Sequence, residues 1–487
     1  MNRSIIVPSV LETIWYNYRV QELRKKVKPY LLIDFGSTYT KLTAVDLEKP
    51  EVLGVARSLT TVDDGLMVGY KTALKILEKE TGSLNYDKRL ACSSAAGGLK
   101  MVAIGLVPEL TVEAAKRAAL GAGARVVGTY GFELSRIEIE ELNELQPDLL
   151  LLAGGTDGGN KEVILHNARM LAGSRLDVPV IIAGNKRVAP EVEELLKQAG
   201  KTSYRVENVL PELGRLNIEP VQAAIREIFF KRIIHAKGLD QVETLIDGIM
   251  MPTPAAVLQA AACLGLGANE EQQGLGELVL IDIGGATTDV HSVAEGLPTE
   301  PQVFLRGLPE PKIKRTVEGD LGMRSSAYAL MEYFTPKVVA KMANLSEEEV
   351  VKGVEERSQS AAYLPKNEKD QHLEEILGYL AVKSAVERHA GKIEKFYTPY
   401  GLSYLQEGKD LSPIKVVIGT GGILAHSSSS RTILEGAVVD PAKPEILKPE
   451  NPQFYLDWMY LLPTLGLIAK DFPDVTYKLL KSALKPV

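Results

Sequence analysis

An α/β fold in which one strand–glycine–strand unit occurs twice, with a further α/β unit set into its first half, is what this sequence predicts. Three observations carry the prediction. The passage Leu31-Leu32-Ile33-Asp34-Phe35-Gly36-Ser37-Thr38-Tyr39-Thr40-Lys41-Leu42 is matched about 250 residues later by Leu278-Val279-Leu280-Ile281-Asp282-Ile283-Gly284-Gly285-Ala286-Thr287-Thr288-Asp289-Val290. Between Arg125 and Pro211, short continuous apolar runs alternate with charged helical stretches, the pattern of a parallel sheet covered on both faces. A third glycine element, Gly419-Thr420-Gly421-Gly422, ends the apolar run that begins at Ile414.

In chain order, residues 1–29 read as an amphipathic helical arm with Leu11, Ile14, Trp15 and Tyr18 at helical spacing. Tyr30 to Asp46 reads as strand, glycine turn and strand, and 62–82 and 109–122 read as helices. The embedded α/β unit is expected at about 123–215, with strands at 125–130, 149–155, 178–184 and 202–206. Helices at 133–145, 160–174 and 189–199 separate them. A helix at 219–237 leads to the second strand–glycine–strand passage. A mainly helical region at about 322–405 follows, then the strand 414–418 and a final helical segment at 455–485.

The composition narrows the function. At about 150 residues per domain, 487 residues make roughly three units. Lys and Arg total 56 against 63 Asp and Glu, a formal net charge of −7, which argues against a general nucleic-acid binder. With 45% apolar and 24% charged residues, the chain is neither disordered, coiled-coil nor collagen-like. The basic run Arg24-Lys25-Lys26-Val27-Lys28 reads as a solvated helix face. The start of the chain has too short an apolar run for a signal peptide. The most apolar long window, 455–469, contains Asp457 and Pro463, so no membrane span is expected. Cys92 and Cys263 make no disulfide framework and no Cys-x-x-Cys site, which fits a reduced, cytoplasmic setting.

The chemistry sits at the glycines. A phosphate group needs closely approaching backbone N–H donors, and glycine permits that approach. Ser37, Thr38, Thr287 and Thr288 add hydroxyls. Asp34 and Asp282, each at a strand end, suit a hydrated Mg²⁺, which takes few carboxylates and keeps several waters. Lys41 either reaches a phosphate or lies on a hairpin edge. Two facing hairpins would clamp the di- or triphosphate of a nucleotide, and the turn at 419–422 would pack its base or ribose.

With these residues in place, the chain resembles the actin-like ATPase superfamily of sugar kinases, actin and heat-shock chaperones. Asp34 to Tyr39 is similar to its first phosphate motif, Asp282 to Asp289 to its second, and Gly419 to Gly422 to its adenosine motif. Met251-Pro252-Thr253-Pro254-Ala255-Ala256 and Leu462-Pro463-Thr464-Leu465-Gly466-Leu467 resemble its two connecting segments. The resemblance implies a two-lobed fold with a duplicated ribonuclease H-like core, ATP or ADP with Mg²⁺ between the lobes, and cofactor contacts from Gly36, Ser37, Thr38, Tyr39, Lys41, Gly284, Gly285, Thr287, Thr288 and Gly419 to Gly422. It places the first lobe at 30–245, the second at 246–440, and a segment at 441–487 returning to the first lobe. One departure stands out. Met251 occupies a position that is acidic in chaperone ATPases, so a slow ATPase is expected, with Asp34, Asp282 and Asp157 as candidate catalytic residues and Asp289 as another substitute.

Further strings narrow the resemblance. Leu152 to Asn160 (LAGGTDGGN), Val317 to Arg324 (VEGDLGMR) and Arg388-His389-Ala390-Gly391 are similar to the glutamate mutase accessory protein family, whose members are regarded as reactivating factors for adenosylcobalamin-dependent mutases. That implies mutase subunits as partners, with no nucleic acid and no membrane, and leaves a homodimer open. The glycines at 154–159 make either an anion cradle at a strand's carboxyl end or a tight turn with Asn160 as a helix cap. His389 reads as a capping or core histidine. Glu318 and Asp320 lie either near the metal or in a solvated loop, and Arg315 and Arg324 pair either with phosphate or with those acids. Asp289-Val290-His291, an Asp-x-His, lacks the following residues of a cobalamin-binding motif. A small-molecule kinase or ATP-dependent amidase, with Asp157 or Asp320 as base, and a purely structural subunit are the rival functions.

Overall fold

The computed structural model describes residues 29–60, 66–94, 99–236, 246–247, 251–298, 300–399 and 401–487, with side chains of 230–236 left aside. The expected N-terminal arm and its basic run lie outside the described residues apart from Pro29.

The chain begins with β1 (Tyr30–Phe35), β2 (Tyr39–Asp46) and β3 (Glu51–Leu59), an antiparallel meander, and helix Leu66–Thr81. That helix turns Leu66, Tyr70, Ala73 and Leu77 to the core, a three-to-four-residue spacing that makes one apolar face. Next, β4 (Lys88–Ser93) pairs parallel with β1. The chain then leaves this sheet to build a second one.

The second sheet consists of β5 (Lys100–Ile104), β6 (Arg125–Tyr130), β7 (Leu149–Leu152), β8 (Val180–Ile182) and β9 (Ser203–Arg205). Its spatial order is β6-β5-β7-β8-β9 and every pairing is parallel, a doubly wound arrangement. Helices Glu113–Gly121, Arg136–Leu145, Glu162–Ala172 and Ala189–Gln198 cover it. The expected strands recur here, but β5 was not among them, and it lies upstream of 123–215. Only five residues long, β5 owes its strand pairing to neighbours far along the chain: Asp148 accepts the Lys100 amide and returns its own N–H to the Lys100 carbonyl.

The chain re-enters the first sheet as β10 (Met251–Pro252), parallel to β4. These two residues, expected at the head of the second lobe, complete the first-lobe sheet in the order β3-β2-β1-β4-β10. Helix Thr253–Leu266 then crosses to the second lobe, with Pro254 in its first turn, where a missing N–H is harmless.

The second lobe repeats the plan. β11 (Leu278–Ile283), β12 (Thr288–Val293), β13 (Val303–Arg306) and β14 (Ile313–Glu318) are followed by helices Ala327–Phe334, Pro336–Ala343, Glu347–Gln359 and Glu368–His389. After them come β15 (Lys392–Thr398), β16 (Gly401–Glu407), β17 (Val416–Thr420), β18 (Gln453–Asp457) and, at the end, β19 (Leu484–Pro486). The main sheet runs β14-β12-β11-β17-β18-β19, while β13, β16 and β15 form a small side sheet. Its first five strands match the first lobe in order and in sense, antiparallel twice and then parallel twice. The duplication read from two glycine hairpins thus extends to the whole sheet, and the fold is the two-lobed actin-like one.

The segment expected as a helix from 455 opens instead as a strand. β18 extends the second-lobe sheet, and only Leu462–Gly466 and Pro473–Ala483 are helical. The former helix rests between the lobes: Thr464 Oγ1 lies 3.0 Å from Thr43 Oγ1 of β2. It also crosses helix Thr253–Leu266 so closely that a Cβ on Gly466 would sit 2.0 Å from the Ala256 carbonyl oxygen. Only glycine permits that crossing, so Gly466→Ala is expected to destabilise the protein by about 1–3 kcal/mol, the usual range for overpacking. A thermal melt unchanged by this substitution would contradict the assignment.

Candidate functional site

Both glycine hairpins are built alike. In the first, the Gly36 amide donates to the Tyr39 carbonyl at 3.0 Å; in the second, the Gly284 amide donates to the Thr287 carbonyl at 2.9 Å. A Cβ on Gly36 would fall 2.6 Å from that carbonyl oxygen, so the tight turn requires glycine. The two turns line opposite sides of a cleft of about 640 Å³ between the lobes, within the range of small-ligand sites.

The structure brings together Asp34, Gly36, Ser37, Thr38, Tyr39 and Lys41 from the first hairpin with Asp282, Gly284, Gly285, Thr287 and Asp289 from the second. At one end the cleft is lined by Arg324, Tyr363, Glu374, Gly422 and Ile423. Of the glycine turn at 419–422, only Gly422 reaches the cleft. Thr420 points inward and donates to Asp457 at 3.1 Å. Thr288 is likewise turned away, its hydroxyl donating to the Leu321 carbonyl at 2.6 Å.

Charge is concentrated on the cleft floor. Asp34 is 1% exposed and accepts from Thr253 Oγ1 at 2.7 Å, while Lys41 Nζ stands 3.5 Å from its other oxygen. Burial pulls the Lys41 ammonium below its ordinary range, against the attraction of Asp34 and Asp282. Asp282 is pushed up to about 7 by burial and then by the neighbouring Asp289 charge, with Lys41 opposing. Burial also raises Asp457, although the amides of Leu461 and Leu462 donate to it. Asp289 is engaged elsewhere: Arg315 Nε donates to it at 2.8 Å, and Thr287 Oγ1 at 3.0 Å. Arg315 then reaches across the molecule, its Nη1 donating to the carbonyls of Leu120 and Ala124 at 3.1 and 3.0 Å.

Among the described residues, no group of three or more His, Cys, Asp or Glu side chains could itself hold a metal ion. The donor set nonetheless fits a hydrated divalent cation. Asp34 and Asp282 bring two carboxylates toward one cleft, where Lys41 is the cation near both.

Several candidates lie elsewhere. Asp157 is outside the cleft, bound by the Lys186 amide and Asn208 Nδ2, each at 3.0 Å, and paired with Lys186 Nζ at 3.2 Å. Burial alone would raise its carboxyl, but those hydrogen bonds and the Lys186 charge hold it below the usual range. The loop around it is tied down from within. Asn185 accepts from the Gly158 amide and donates to the carbonyls of Gly159 and Asn160, and Asn208 donates to Gly155. Asn160 accepts from the Val163 amide at 3.2 Å from one residue ahead of the helix cap, which falls at Lys161 and not at Asn160 as expected. Glu318 and Asp320 share Arg388 at 2.7–2.8 Å and do not line the cleft. Arg324 pairs with Glu374 at 2.8 Å, and His389 is a core residue between Thr316 and Ser292. Cys92 is buried and its thiol is held well above its ordinary range by burial, so it is inert.

Sequence reasoning missed Arg57, His426, Asp457 and Tyr460. Arg57 of β3 and His426 of the second lobe meet across the cleft at 2.8 Å. An acid within an apolar run was the one available signal for Asp457.

A family model described as MutL protein matches residues 30–484. Protein MutL of Clostridium tetanomorphum is 50% identical over 461 residues, covering 94% of this chain and 99% of that protein. Among solved structures, the chain is similar to a nucleotide-free acetone carboxylase (TM-score 0.39, 12% identity, 91% of this chain and 70% of that one). It is similar also to the activator of 2-hydroxyisocaproyl-CoA dehydratase from Clostridium difficile with bound ADPNP (0.32, 9%, 94% and 99%) and to Plasmodium falciparum glycerol kinase with ADP (0.34, 9%, 93% and 92%).

Proposed function

The chain belongs to the MutL protein family, and from that premise we propose that it is an ATP-binding, chaperone-like accessory factor of an adenosylcobalamin-dependent mutase, either glutamate mutase or an aminomutase, working in the cytoplasm. Nucleotide-driven movement of its lobes would loosen the partner so that damaged cobalamin leaves. The observation that carries the nucleotide part is the pair of matched hairpins facing each other across one cleft, each with an Asp at its strand end, Asp34 buried and Asp282 half-buried.

In this reading the amides and hydroxyls of Ser37 and Thr38 and the amides of Gly285 and Ala286, presented by turns that the Gly36 and Gly284 amides close, bind the phosphates from opposite lobes. Lys41 neutralises phosphate charge, and Asp34 and Asp282 orient the water shell of Mg²⁺. Bound Mg²⁺ supplies charge neutralisation for the phosphate chain. The base end is formed by Gly422 and Ile423 with Arg324 and Tyr363. Because ligand donors come from both lobes, a nucleotide binds the closed arrangement better and shifts the population toward it. Hydrolysis is expected to be slow. Asp289 is engaged by Arg315, Asp157 lies outside the cleft, and Met251 offers no carboxylate.

Isothermal titration with ATP and ADP, each with Mg²⁺ and with EDTA, tests the nucleotide part. Mg²⁺-dependent binding of both is expected, and its absence would remove the core of the proposal. Restored turnover of an inactivated mutase on addition of this protein with ATP, but not without ATP, tests the partner.

A further inference from the structure

Tyr460 occupies a conformation that a bulky residue rarely adopts. Its φ is +56°, in the left-handed region, where a non-glycine residue is strained. The turn that imposes this geometry is fixed from below. Asp457 accepts from the amides of Leu461 and Leu462 and from Thr420, and its own carbonyl accepts from the Tyr460 amide at 3.2 Å. A glycine would satisfy this backbone without strain, so the side chain is what the position retains. That side chain lines the cleft, and the face of its ring lies 3.1 Å from Lys41 Nζ, measured to the ring centroid.

We propose that Tyr460 is a positioning residue that holds the Lys41 ammonium in the cleft, with the aromatic face on one side of the cation and Asp34 on the other, so that the lysine is aimed before any phosphate arrives. The physical basis is the attraction of a cation to the negative face of an aromatic ring, which strengthens where water is excluded. Lys41 is a long side chain with rotamer entropy to lose, and a ring that confines it in advance lowers that loss on binding. The turn at 457–460 belongs to the second lobe and Lys41 to the first, so the contact also spans the cleft. What Lys41 is aimed toward rests on the nucleotide reading above; the contact itself does not.

Two measurements test this on the full chain. In ¹³C-lysine-labelled protein without nucleotide, the Lys41 Cε–H signals, identified by their loss in Lys41→Arg, are expected to be shifted upfield by the ring. Tyr460→Leu removes that shift and Tyr460→Phe keeps it. Signals at ordinary lysine positions in the wild-type protein would overturn the contact. In titration calorimetry, Tyr460→Leu is expected to weaken ATP and ADP binding roughly ten-fold and to leave AMP unaffected, and Tyr460→Phe to restore the wild-type values. Equal weakening for all three nucleotides, or equal loss in Tyr460→Phe, would mean a general packing role and would overturn the proposal. Failure of the wild-type protein to bind any of the three overturns the nucleotide reading instead, and the upfield shift then decides the contact by itself.

Discussion

Asp282→Asn is expected to make the nucleotide-free protein more stable at pH 8 and to abolish its Mg²⁺-dependent nucleotide binding. The Asp282 carboxyl is pushed up to about 7 by burial beside Asp289, against an ordinary value near 4. A carboxyl raised in the folded state contributes stability that is fully present below its unfolded value and is lost as pH rises through its folded value. The wild-type melting temperature should therefore fall between about pH 4 and pH 8, by an amount corresponding to on the order of 4 kcal/mol at most. Asparagine keeps the shape and removes the charge, so the variant's stability should be flatter over that window. The same substitution removes one of the two carboxylates proposed to hold hydrated Mg²⁺, so Mg²⁺ should no longer change its affinity for ADP. A variant whose melting curve follows the wild type from pH 5 to pH 8 would contradict the account of Asp282. The opposition between stability and binding at one residue is what a site built for a cation predicts.

The second large effect is expected at Arg315, whose side chain is 2% exposed. Its guanidinium bonds Asp289 with one edge and two carbonyls at the C-terminal end of helix Glu113–Gly121 with the other, where the helix dipole also favours a cation. Arg315→Met leaves Asp289 charged, buried and unpaired, which typically destabilises by about 3–5 kcal/mol. Lysine lacks the planar fork and should rescue little. The double variant Arg315→Met with Asp289→Asn should lose less than Arg315→Met alone, because the stranded charge is gone. Urea denaturation of the wild type, Arg315→Met, Asp289→Asn and the double variant measures this, and strictly additive losses would show that the two side chains do not act as a pair.

The parts of the site that were legible in the sequence are those whose chemistry is local. At Gly36 the turn whose amide bonds the carbonyl three residues on leaves no room for a Cβ, Gly284 repeats that turn, and the acid at each preceding strand end is part of the same short string. What was not legible depends on distant partners. The loop around Asp157 has the composition of an anion cradle, yet Asn185 and Asn208, more than 20 residues downstream, take up its polar groups. Thr420 sits in a glycine turn that reads as exposed to a ligand, but Asp457 draws its hydroxyl inward. Asp457 itself and Tyr460 lie in a run whose apolarity reads as one long helix. In the structure that run breaks into β18, a strained turn and a short helix, because β17 offers a parallel edge for pairing. The same holds for β5, too short to declare itself without the flanking strands.

The inserted sheet does not stand apart from the lobe that carries it. Leu31 and Ile33 of β1 share one continuous apolar core with Met101, Leu149, Leu151 and Ile181 of the insert and with Ala115 and Ala118 of helix Glu113–Gly121. Close-packed interiors transmit strain and do not shear freely. First lobe and insert therefore form one packed body, which Arg315 ties to the second lobe at the Leu120 and Ala124 carbonyls. The edge strand β9 lies three strand spacings from β5, about 14 Å. Under the proposed nucleotide-driven movement, a rotation of the lobes would be magnified at that outer edge, and the insert would be the handle by which a partner is moved.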